Sequence, residues 1–362
     1  MQTDSGFAPA SPQRHACSAR LSRHKGKASA LLVLGLGAIV LAMVLTGLAV
    51  LVIWLVAKPV STTLELAGEP GAYPPDVSCP YKQTGSLGAS DETRCMRIMN
   101  YCLDGDGNVA VCDGDALKIR VVTPDDRLKA TWKLDFAPEA IQFQTGGTFL
   151  VAGSGRIAVV GADGKVLRTA DLPAAYVSSL AWSGDDVFVV LRENTGFAIY
   201  RTNAALQAPV RIVDGLRGCC GQMDITARDG NVYLAANCEF SVVRYDRDGK
   251  EIARFGRKGA SSDAWRGCCE PKNVCFDSQG NLYTAESNYC CVKKFSADGQ
   301  FLGVMAQPRG ISGCVRVTIA VTRDGSRIYF LDTNRNLIHI LERTAEPAVE
   351  TSPAALPAPD TV

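Results

Sequence analysis

The strongest constraint on the fold is a repeat, since two stretches of the chain are near copies of each other. Residues 217–255 read RGCCGQMDITARDGNVYLAANCEFSVVRYDRDGKEIARF, and residues 266–303 read RGCCEPKNVCFDSQGNLYTAESNYCCVKKFSADGQFLG. Both place alternating apolar runs on either side of a Gly-Asn pair, and both contain a later Asp-Gly turn. Period-two alternation predicts strands, and these dipeptides provide the positive φ that tight hairpins require. Each copy is therefore predicted to be a four-stranded antiparallel unit that must stack on others like it.

The Gly-Asn turn recurs in looser form along the chain and gives the number of units. The turns fall at positions 108, 148, 186, 231, 281 and 327, which are 38 to 50 residues apart. Propeller blades repeat about every 40 to 50 residues. Six turns therefore predict an all-β, six-bladed β-propeller over residues 95–343.

The amino-acid sequence of the repeats resembles the NHL repeat family. The segment FGRKG at 255–259, followed by EPKNVCFDSQGNLYTAESNYCCVKKFSADGQFLG, has that family's order of loop, Pro, inner strand, Asp-x-x-Gly-Asn, strand, hairpin and Asp-Gly. The resemblance spans residues 95–342 and is clearest in the fourth and fifth units. It implies a six-bladed propeller but no single activity, because NHL-like propellers include binding platforms, sensor domains and a few metal-dependent lyases and lactonases.

A membrane anchor is predicted in front of the propeller. Residues 28–57 contain no charged side chain, whereas a bilayer core needs about 20 residues of helix. Five basic residues precede this span and Lys58 follows it, so the positive-inside rule places residues 1–27 in the cytoplasm as a disordered basic tail. We expect a single-pass membrane protein with an uncleaved signal anchor and an extracytoplasmic propeller, in the periplasm or at the cell surface.

The remaining segments flank the propeller. Residues 58–94 are rich in Pro, Gly and Ser and are predicted to form a linker. The sixth unit lacks a fourth strand, and an open edge would expose unpaired backbone groups. The alternating residues 61–66 are the favoured candidate to complete that unit, and a strand near 79–88 is the second candidate. Residues 344–362 are predicted to be a disordered tail.

The cysteines are concentrated in one sector of the predicted ring. The chain has 14, of which 13 follow the predicted membrane span. Ten of them lie in the loop before an innermost strand or near the loop between the second and third strands, and both loops emerge on the same face of an antiparallel blade. They belong to units four, five, six and one, which are neighbours once the ring closes. These ten are Cys95, Cys112, Cys219, Cys220, Cys238, Cys268, Cys269, Cys290, Cys291 and Cys314.

Three hypotheses for these cysteines stay open at the level of sequence. Disulfide bonds suit the exterior and would brace the loop face without any cofactor, each contributing about 2–4 kcal/mol. Thiol–disulfide exchange at an exposed pair is another hypothesis. The alternative with a cofactor is a thiolate-bound zinc ion or iron–sulfur cluster. Its ligands would come from four units: Cys95, Cys219 or Cys220, Cys268 or Cys269, and Cys314.

Arginines accompany the same loops and predict a cationic surface. Such side chains capture a carboxylate or phosphate through forked hydrogen bonds. Alternatively, they bond loop carbonyls or the acids of neighbouring loops, including Asp113 and Asp332. The predicted binding set is Arg94, Arg217, Arg266, Arg309 and Arg316, together with Glu286.

Enzymatic chemistry has little support in the sequence. His339 is the one histidine after the predicted span, whereas a zinc-dependent NHL-like lyase needs several and a Ser-His-Asp hydrolase needs one in its pocket. A lactonase-like hydrolase would instead hold a divalent cation with oxygen ligands. Asp224, Asn273 and Glu270 lie near inner strands, but they do not occupy equivalent positions in their units.

These observations predict a binding module rather than an enzyme. The net charge of +1 argues against a nucleic-acid partner. We expect a membrane-anchored propeller that serves as a scaffold or sensor for a protein or an anionic small molecule through its Cys- and Arg-rich face. A redox or metal-binding protein using that face is the alternative, and a lactonase-like hydrolase is the third possibility.

Overall fold

The computed structural model describes residues 79–219, 221–309, 311 and 313–344. Within them the chain forms six four-stranded sheets, and all strand pairs are antiparallel. The predicted all-β, six-bladed propeller is therefore confirmed. Each of the six predicted turns joins the first two strands of its blade, as in the hairpin that pairs Arg228 with Asn231.

The first three blades follow one another along the chain, each with its first strand innermost. The first strand of the described residues, β1 (Tyr81–Leu87), belongs to blade six. Blade one comprises β2 (Ile98–Leu103), β3 (Val109–Asp113), β4 (Lys118–Val122) and β5 (Leu128–Lys133). Blade two comprises β6 (Ala140–Gln144), β7 (Thr148–Gly153), β8 (Arg156–Gly161) and β9 (Val166–Asp171). Blade three comprises β10 (Tyr176–Ser183), β11 (Asp186–Glu193), β12 (Gly196–Asn203) and β13 (Val210–Leu216).

The last three blades carry the cysteine-rich loops. Blade four comprises β14 (Asp224–Arg228), β15 (Asn231–Ala236), β16 (Ser241–Tyr245) and β17 (Glu251–Phe255), with a short 3-10 helix at Asn237–Glu239. Blade five comprises β18 (Asn273–Phe276), β19 (Leu282–Glu286), β20 (Cys291–Phe295) and β21 (Phe301–Ala306). Blade six comprises β22 (Ile319–Val321), β23 (Arg327–Asp332), β24 (Leu337–Arg343) and β1.

Hydrophobic side chains fill the space between neighbouring blades. The second and third strands are buried on both faces, whereas outer strands such as β9 and β17 are largely exposed. Six clusters each join two adjacent blades. The cluster that contains Leu87, Tyr101 and Tyr329 joins blade six to blade one, so the apolar core runs around the whole ring.

Strand β1 closes the ring. It pairs antiparallel with β24, from Tyr81 opposite Arg343 to Leu87 opposite Ile338, and so supplies the fourth strand of blade six. The Tyr81 hydroxyl donates to the Gly325 carbonyl at 2.7 Å, and Leu87 is buried between blades. This strand lies inside the predicted linker and matches the second candidate, 79–88, whereas the favoured segment 61–66 lies outside the described residues.

A polar network fastens the closing strand to its neighbours. His339 of β24 is buried, with its Nδ1 2.8 Å from the Ser86 hydroxyl and 3.1 Å from the Gln83 amide nitrogen. Its Nε2 lies 3.2 Å from a carboxylate oxygen of Asp332, which also forms an ion pair with Arg335. The histidine therefore links β1 to the end of β23.

The predicted anchor and tails fall outside the described part of the chain. Residues 28–57 and 1–27 are not among the described residues, and only Thr344 of the predicted C-terminal tail is. Among the residues that are described, no helix has the length and apolar character needed to cross a bilayer.

Candidate metal centre

Four cysteine sulfurs meet at one end of the propeller. The Sγ atoms of Cys219, Cys268, Cys269 and Cys314, hereafter the four-cysteine site, all lie within 4.8 Å of one another. Cys269 Sγ lies 2.9 Å from Cys268 Sγ and 3.0 Å from Cys314 Sγ, and Cys314 Sγ lies 3.6 Å from Cys219 Sγ. A tetrahedral ion with metal–sulfur bonds of about 2.3 Å sets its ligand sulfurs about 3.8 Å apart. The Cys219–Cys314 separation is close to that value, and the two shorter separations lie between it and the length of a disulfide bond, about 2.0 Å.

Cys219 is held by the loop between β13 and β14. Its backbone N–H donates to Asn237 Oδ1 at 3.1 Å, and Asn237 Nδ2 donates to the Gln222 carbonyl at 2.8 Å. Asn237 is fully buried at the end of β15. One amide side chain thus fixes both ends of the short loop that carries the sulfur.

Cys268 and Cys269 lie in the loop between β17 and β18. Gly267 precedes them with φ +91°, and a Cβ at this position would lie 2.6 Å from Asn288 Nδ2. Glycine is therefore required here by both conformation and space. Cys269 is buried at 2% exposure, whereas Cys268 is exposed, so the site is buried on one side and reaches solvent on the other.

Cys314 arrives on the long loop between β21 and β22. Gln222 of blade four and Val317 of blade six exchange two hydrogen bonds, of 2.7 and 3.2 Å. Arg316 donates to the Ser178 carbonyl of blade three at 2.9 Å. The loop of blade six therefore reaches blades that are not its ring neighbours, and this reach brings Cys314 to Cys219.

A buried lysine contacts the sulfurs. Lys272, just before β18, has 0% exposure, and its Nζ donates to Cys314 Sγ at 3.0 Å and to Cys269 Sγ at 3.1 Å. Burial alone would lower the pKa of Lys272, but the hydrogen bonds to the two sulfurs outweigh it, and the pKa is raised. A buried ammonium requires compensating negative charge; the nearby Glu270 contributes to it, and thiolates at Cys269 and Cys314 would supply more if a bound ion deprotonated them.

A buried glutamate completes the surroundings. Glu270 Oε1 accepts hydrogen bonds from the backbone N–H and hydroxyl of Ser287 and from the backbone and side-chain N–H groups of Asn288, at 3.0 to 3.1 Å. Glu270 Oε2 is buried without a hydrogen-bond partner among the described residues. Burial raises the pKa of Glu270 to about 7.

The other predicted cysteines lie elsewhere in the described part of the chain. Cys95 is buried away from the site, and burial raises the pKa of its thiol to about 12. The second cysteine of blade five takes the place of Cys95 among the four grouped sulfurs. Cys112 belongs to the core between blades one and two. Cys290 donates to the Ile311 carbonyl, and Cys291 packs with Cys79.

The predicted disulfide brace is not confirmed. No disulfide bond joins two cysteines of the described residues. Cys238 is exposed, and partial burial together with the nearby Cys219 raises its pKa, but it is not one of the four grouped sulfurs. Cys220 lies outside the described residues.

Three of the five predicted binding arginines have separate partners. Arg94 pairs with Asp91 at 3.3 Å on the surface, and the Arg266 guanidinium lies 5.7 Å from the centre of the Tyr289 ring. Arg316 is held by blade three, as described above. Arg217 and Arg309 are exposed.

The acids near these arginines pair with other cations. Glu286 forms a fully buried ion pair with Lys293 at 2.6 Å, and Asp113 pairs with Arg120 at 3.3 Å. Sequence reasoning missed both Lys272 and Lys293. A signal for Lys272 was present, because aligning the two RGCC segments places Met223 of blade four at its position.

The channel at the centre of the ring holds a cavity of about 340 Å³, lined by Asp224, Asn273, Cys102 and Cys275 among others. Asp224 Oδ2 accepts hydrogen bonds from Asn273 Nδ2 at 2.6 Å and from the Val274 N–H at 3.0 Å, and Asp224 Oδ1 accepts from the Ser179 hydroxyl at 2.7 Å. Asn273 Oδ1 in turn accepts from the Ile319 N–H. The oxygens that a lactonase-like cation would need are thus already bonded within the ring.

Asp224 should make the free energy of unfolding of the protein decrease as the pH rises. Burial raises its pKa from 3.8 to about 6, so the folded state favours the protonated carboxyl. The contribution of Asp224 to the free energy of unfolding is roughly 3 kcal/mol in total. It is fully present below pH about 4 and is lost as the pH rises through about 6. Urea unfolding at pH 4.5 and 7.5 should show that Asp224→Asn removes this part of the pH dependence. Asp229→Asn, at an exposed turn, is the control, and equal pH profiles for the wild type and Asp224→Asn would contradict the prediction.

Comparisons with known proteins identify the fold and no family. No protein-family model matches the chain, and no protein of curated function matches its sequence. The NHL resemblance therefore remains an interpretation of the repeat pattern.

Solved structures share the architecture. A regucalcin from Agrobacterium tumefaciens, described as a calcium-binding protein, matches with TM-score 0.53 and 13% identity over 75% of this chain and 99% of its own. A gluconolactonase from Xanthomonas campestris matches with TM-score 0.52 and 14% identity over 76% of this chain and 97% of its own. An inactive virginiamycin B lyase from Staphylococcus aureus, with quinupristin, matches with TM-score 0.50 and 18% identity over 68% of this chain and 80% of its own. The likeness is one of fold.

Proposed function

We propose that this protein is a β-propeller scaffold that binds a metal ion through the four-cysteine site. The observation that carries the proposal is the grouping of four sulfurs from three blades within 4.8 Å. Hydrophobic packing of the blades does not by itself require cysteine at these loop positions. Four thiolates at this spacing suit zinc or iron, because both accept tetrahedral sulfur ligands.

Lys272 supports the same proposal. An ammonium with 0% exposure that donates to two of the four sulfurs offsets part of the negative charge of bound thiolates. Groups that hydrogen-bond to metal ligands commonly tune a metal site. Neutral thiols, without a metal, would offset the positive charge of this buried ammonium less well.

The other candidate functions have less support from the described residues. Binding of an anionic ligand by the arginine set is weakened because Arg266 and Arg316 are already engaged. A lactonase-like hydrolase is weakened because Asp224 and Asn273 bond each other and Glu270 does not line the central cavity. The membrane anchor and the extracytoplasmic location stay part of the proposal on the strength of the uncharged span at 28–57.

Metal titration tests the proposed function. We expect the reduced, chelator-treated protein to bind one Co²⁺ per chain under anaerobic conditions and to show the thiolate charge-transfer absorption of a tetrahedral sulfur site. Zn²⁺ should displace the Co²⁺. Cys268→Ser should weaken binding by about 100-fold or more, since loss of even an outer partner of a metal ligand costs about 10- to 100-fold.

Cys238→Ser is the matched control, because Cys238 is exposed like Cys268 but is not one of the four grouped sulfurs. It should leave the Co²⁺ affinity unchanged. The proposal fails if the wild type shows no saturable Co²⁺ binding, or if the two serine variants weaken binding equally.

A further inference from the structure

We infer that the metal is iron, that the centre takes up and releases a single electron, and that Lys272 raises its reduction potential. This inference rests on the proposed function, because it concerns the same four sulfurs.

The packing of the blades does not require a metal. Structural zinc stabilises small domains that cannot fold without it. Here six apolar clusters join every pair of neighbouring blades, and β1 completes the ring through its pairing with β24. The ring is held together by these contacts at every seam.

The ligand set leaves no room for hydrolytic catalysis. A catalytic zinc keeps one coordination position open for water or substrate, whereas four protein sulfurs close a tetrahedral site. A closed four-sulfur site that the packing of the blades does not require is suited to transferring electrons. Iron has the required Fe³⁺/Fe²⁺ couple, and zinc has none.

The buried charges favour the same conclusion. Four thiolates leave about −2 with a divalent ion and about −1 with a trivalent ion, and the Lys272 ammonium adds one positive charge directly at two of the sulfurs. Because net charge is costly in a buried site, the lysine brings the ferric centre close to neutrality. The lysine also stabilises the extra negative charge of the ferrous centre, and this raises the reduction potential of the iron. The nearby Glu270 acts in the opposite direction, but four hydrogen-bond donors already surround its Oε1.

Solvent exposure provides a route for the electron. Cys268 is exposed while Cys269, its neighbour at 2.9 Å between the sulfurs, is buried. A one-electron donor protein that docks at Cys268 would reduce Fe³⁺ to Fe²⁺ and would itself be oxidised by one electron. No bond forms or breaks at the protein, and no proton is needed.

The experiment uses the full chain, stripped of metal and loaded anaerobically with Fe²⁺. We expect one iron per chain without acid-labile sulfide, sulfur-to-iron charge-transfer absorption in the oxidised form, and a high-spin ferric EPR signal. Redox titration with dithionite and ferricyanide should give a reversible wave with n = 1. Lys272→Met should shift the midpoint to lower potential and keep the oxidised spectrum.

Two further variants test whether the charge of Lys272 causes the shift in midpoint potential. Lys272→Gln keeps hydrogen-bond donors but removes the charge, so a potential as low as that of Lys272→Met assigns the effect to charge. Lys258→Met is the matched control, because Lys258 lies exposed on the same loop, 4.9 Å from the Phe240 ring. It should leave the midpoint unchanged. Methionine is compatible with position 272, since Met223 is buried at the aligned position of blade four.

The possible failures are distinguishable. Tight Co²⁺ and Zn²⁺ binding with iron that is absent, that does not cycle or that is accompanied by sulfide would overturn the inference and leave the proposed function standing. Failure of the wild type to bind any of the three metals would remove both. A reversible wave whose midpoint is the same in the wild type and Lys272→Met would refute the role of the lysine.

Discussion

A variant without residues 1–88 is expected to lose the cooperative folding of the propeller. It lacks β1, so one edge of β24 loses the partners that it has from Tyr81 to Leu87. Burial of each of these two side chains contributes about 1.5–3 kcal/mol, and the Ser86 and Gln83 contacts to His339 disappear with them. Domains are stable by only about 5–15 kcal/mol. An open seam with an unpaired strand also promotes association with other chains.

Removal of residues 1–78 is the matched control, because it keeps β1. Thermal unfolding followed by circular dichroism, together with size-exclusion chromatography, should show a cooperative monomer for the shorter deletion and a broad transition or aggregation for the longer one. Equal melting temperatures for the two would show that β1 does not close the ring in solution.

Lys293→Met is expected to lower the free energy of unfolding by about 3–5 kcal/mol, because it leaves the partner of a buried ion pair without its countercharge. Lys293 Nζ lies 2.6 Å from Glu286 Oε1, and both side chains have 0% exposure. Lys293 also donates to the Ala264 carbonyl, next to the buried Trp265. The pair therefore connects the outer half of blade five to the loop that leads to Cys268.

A second variant tests whether the unpaired charge is the cause. Glu286→Leu combined with Lys293→Met should recover most of the lost stability, since replacing both partners of a buried pair with apolar residues is often neutral. The Arg266 N–H would lose its bond to Glu286 Oε2 in both Glu286 variants. Urea unfolding of the two single variants and the double variant gives the coupling energy directly. A loss of less than 1 kcal/mol for Lys293→Met alone would contradict the prediction.

The ring could be predicted from sequence because its determinants are local. Alternation of apolar residues and the turn residues near 108, 148, 186, 231, 281 and 327 specify strands and hairpins without reference to distant parts of the chain. Their spacing then gave six blades, which the structure confirms. The closing strand was harder to place, because the alternation at 61–66 favoured that segment over 79–88, whereas the strand that pairs with β24 is Tyr81–Leu87.

The site was predictable only in part. Blade topology placed the loop cysteines on one face, but membership of the four-cysteine site depends on loop geometry that alternation does not encode. Cys314 joins it because Gln222 and Val317 bond across the ring, and Cys95 does not, although its position before the turn is equivalent. The buried Lys272 and Lys293 were missed because a charged residue in a strand pattern is usually assigned to solvent.

The path of the loop that carries Cys314 also sets an order of events during biosynthesis. Cys219 is translated 95 residues before Cys314, and the two meet through a loop that is held to blade four by the Gln222–Val317 hydrogen bonds. Before Cys314 is synthesised, a nascent chain can present the sulfurs of blades four and five but not all four. Loading of the proposed metal would therefore have to follow the synthesis of Cys314.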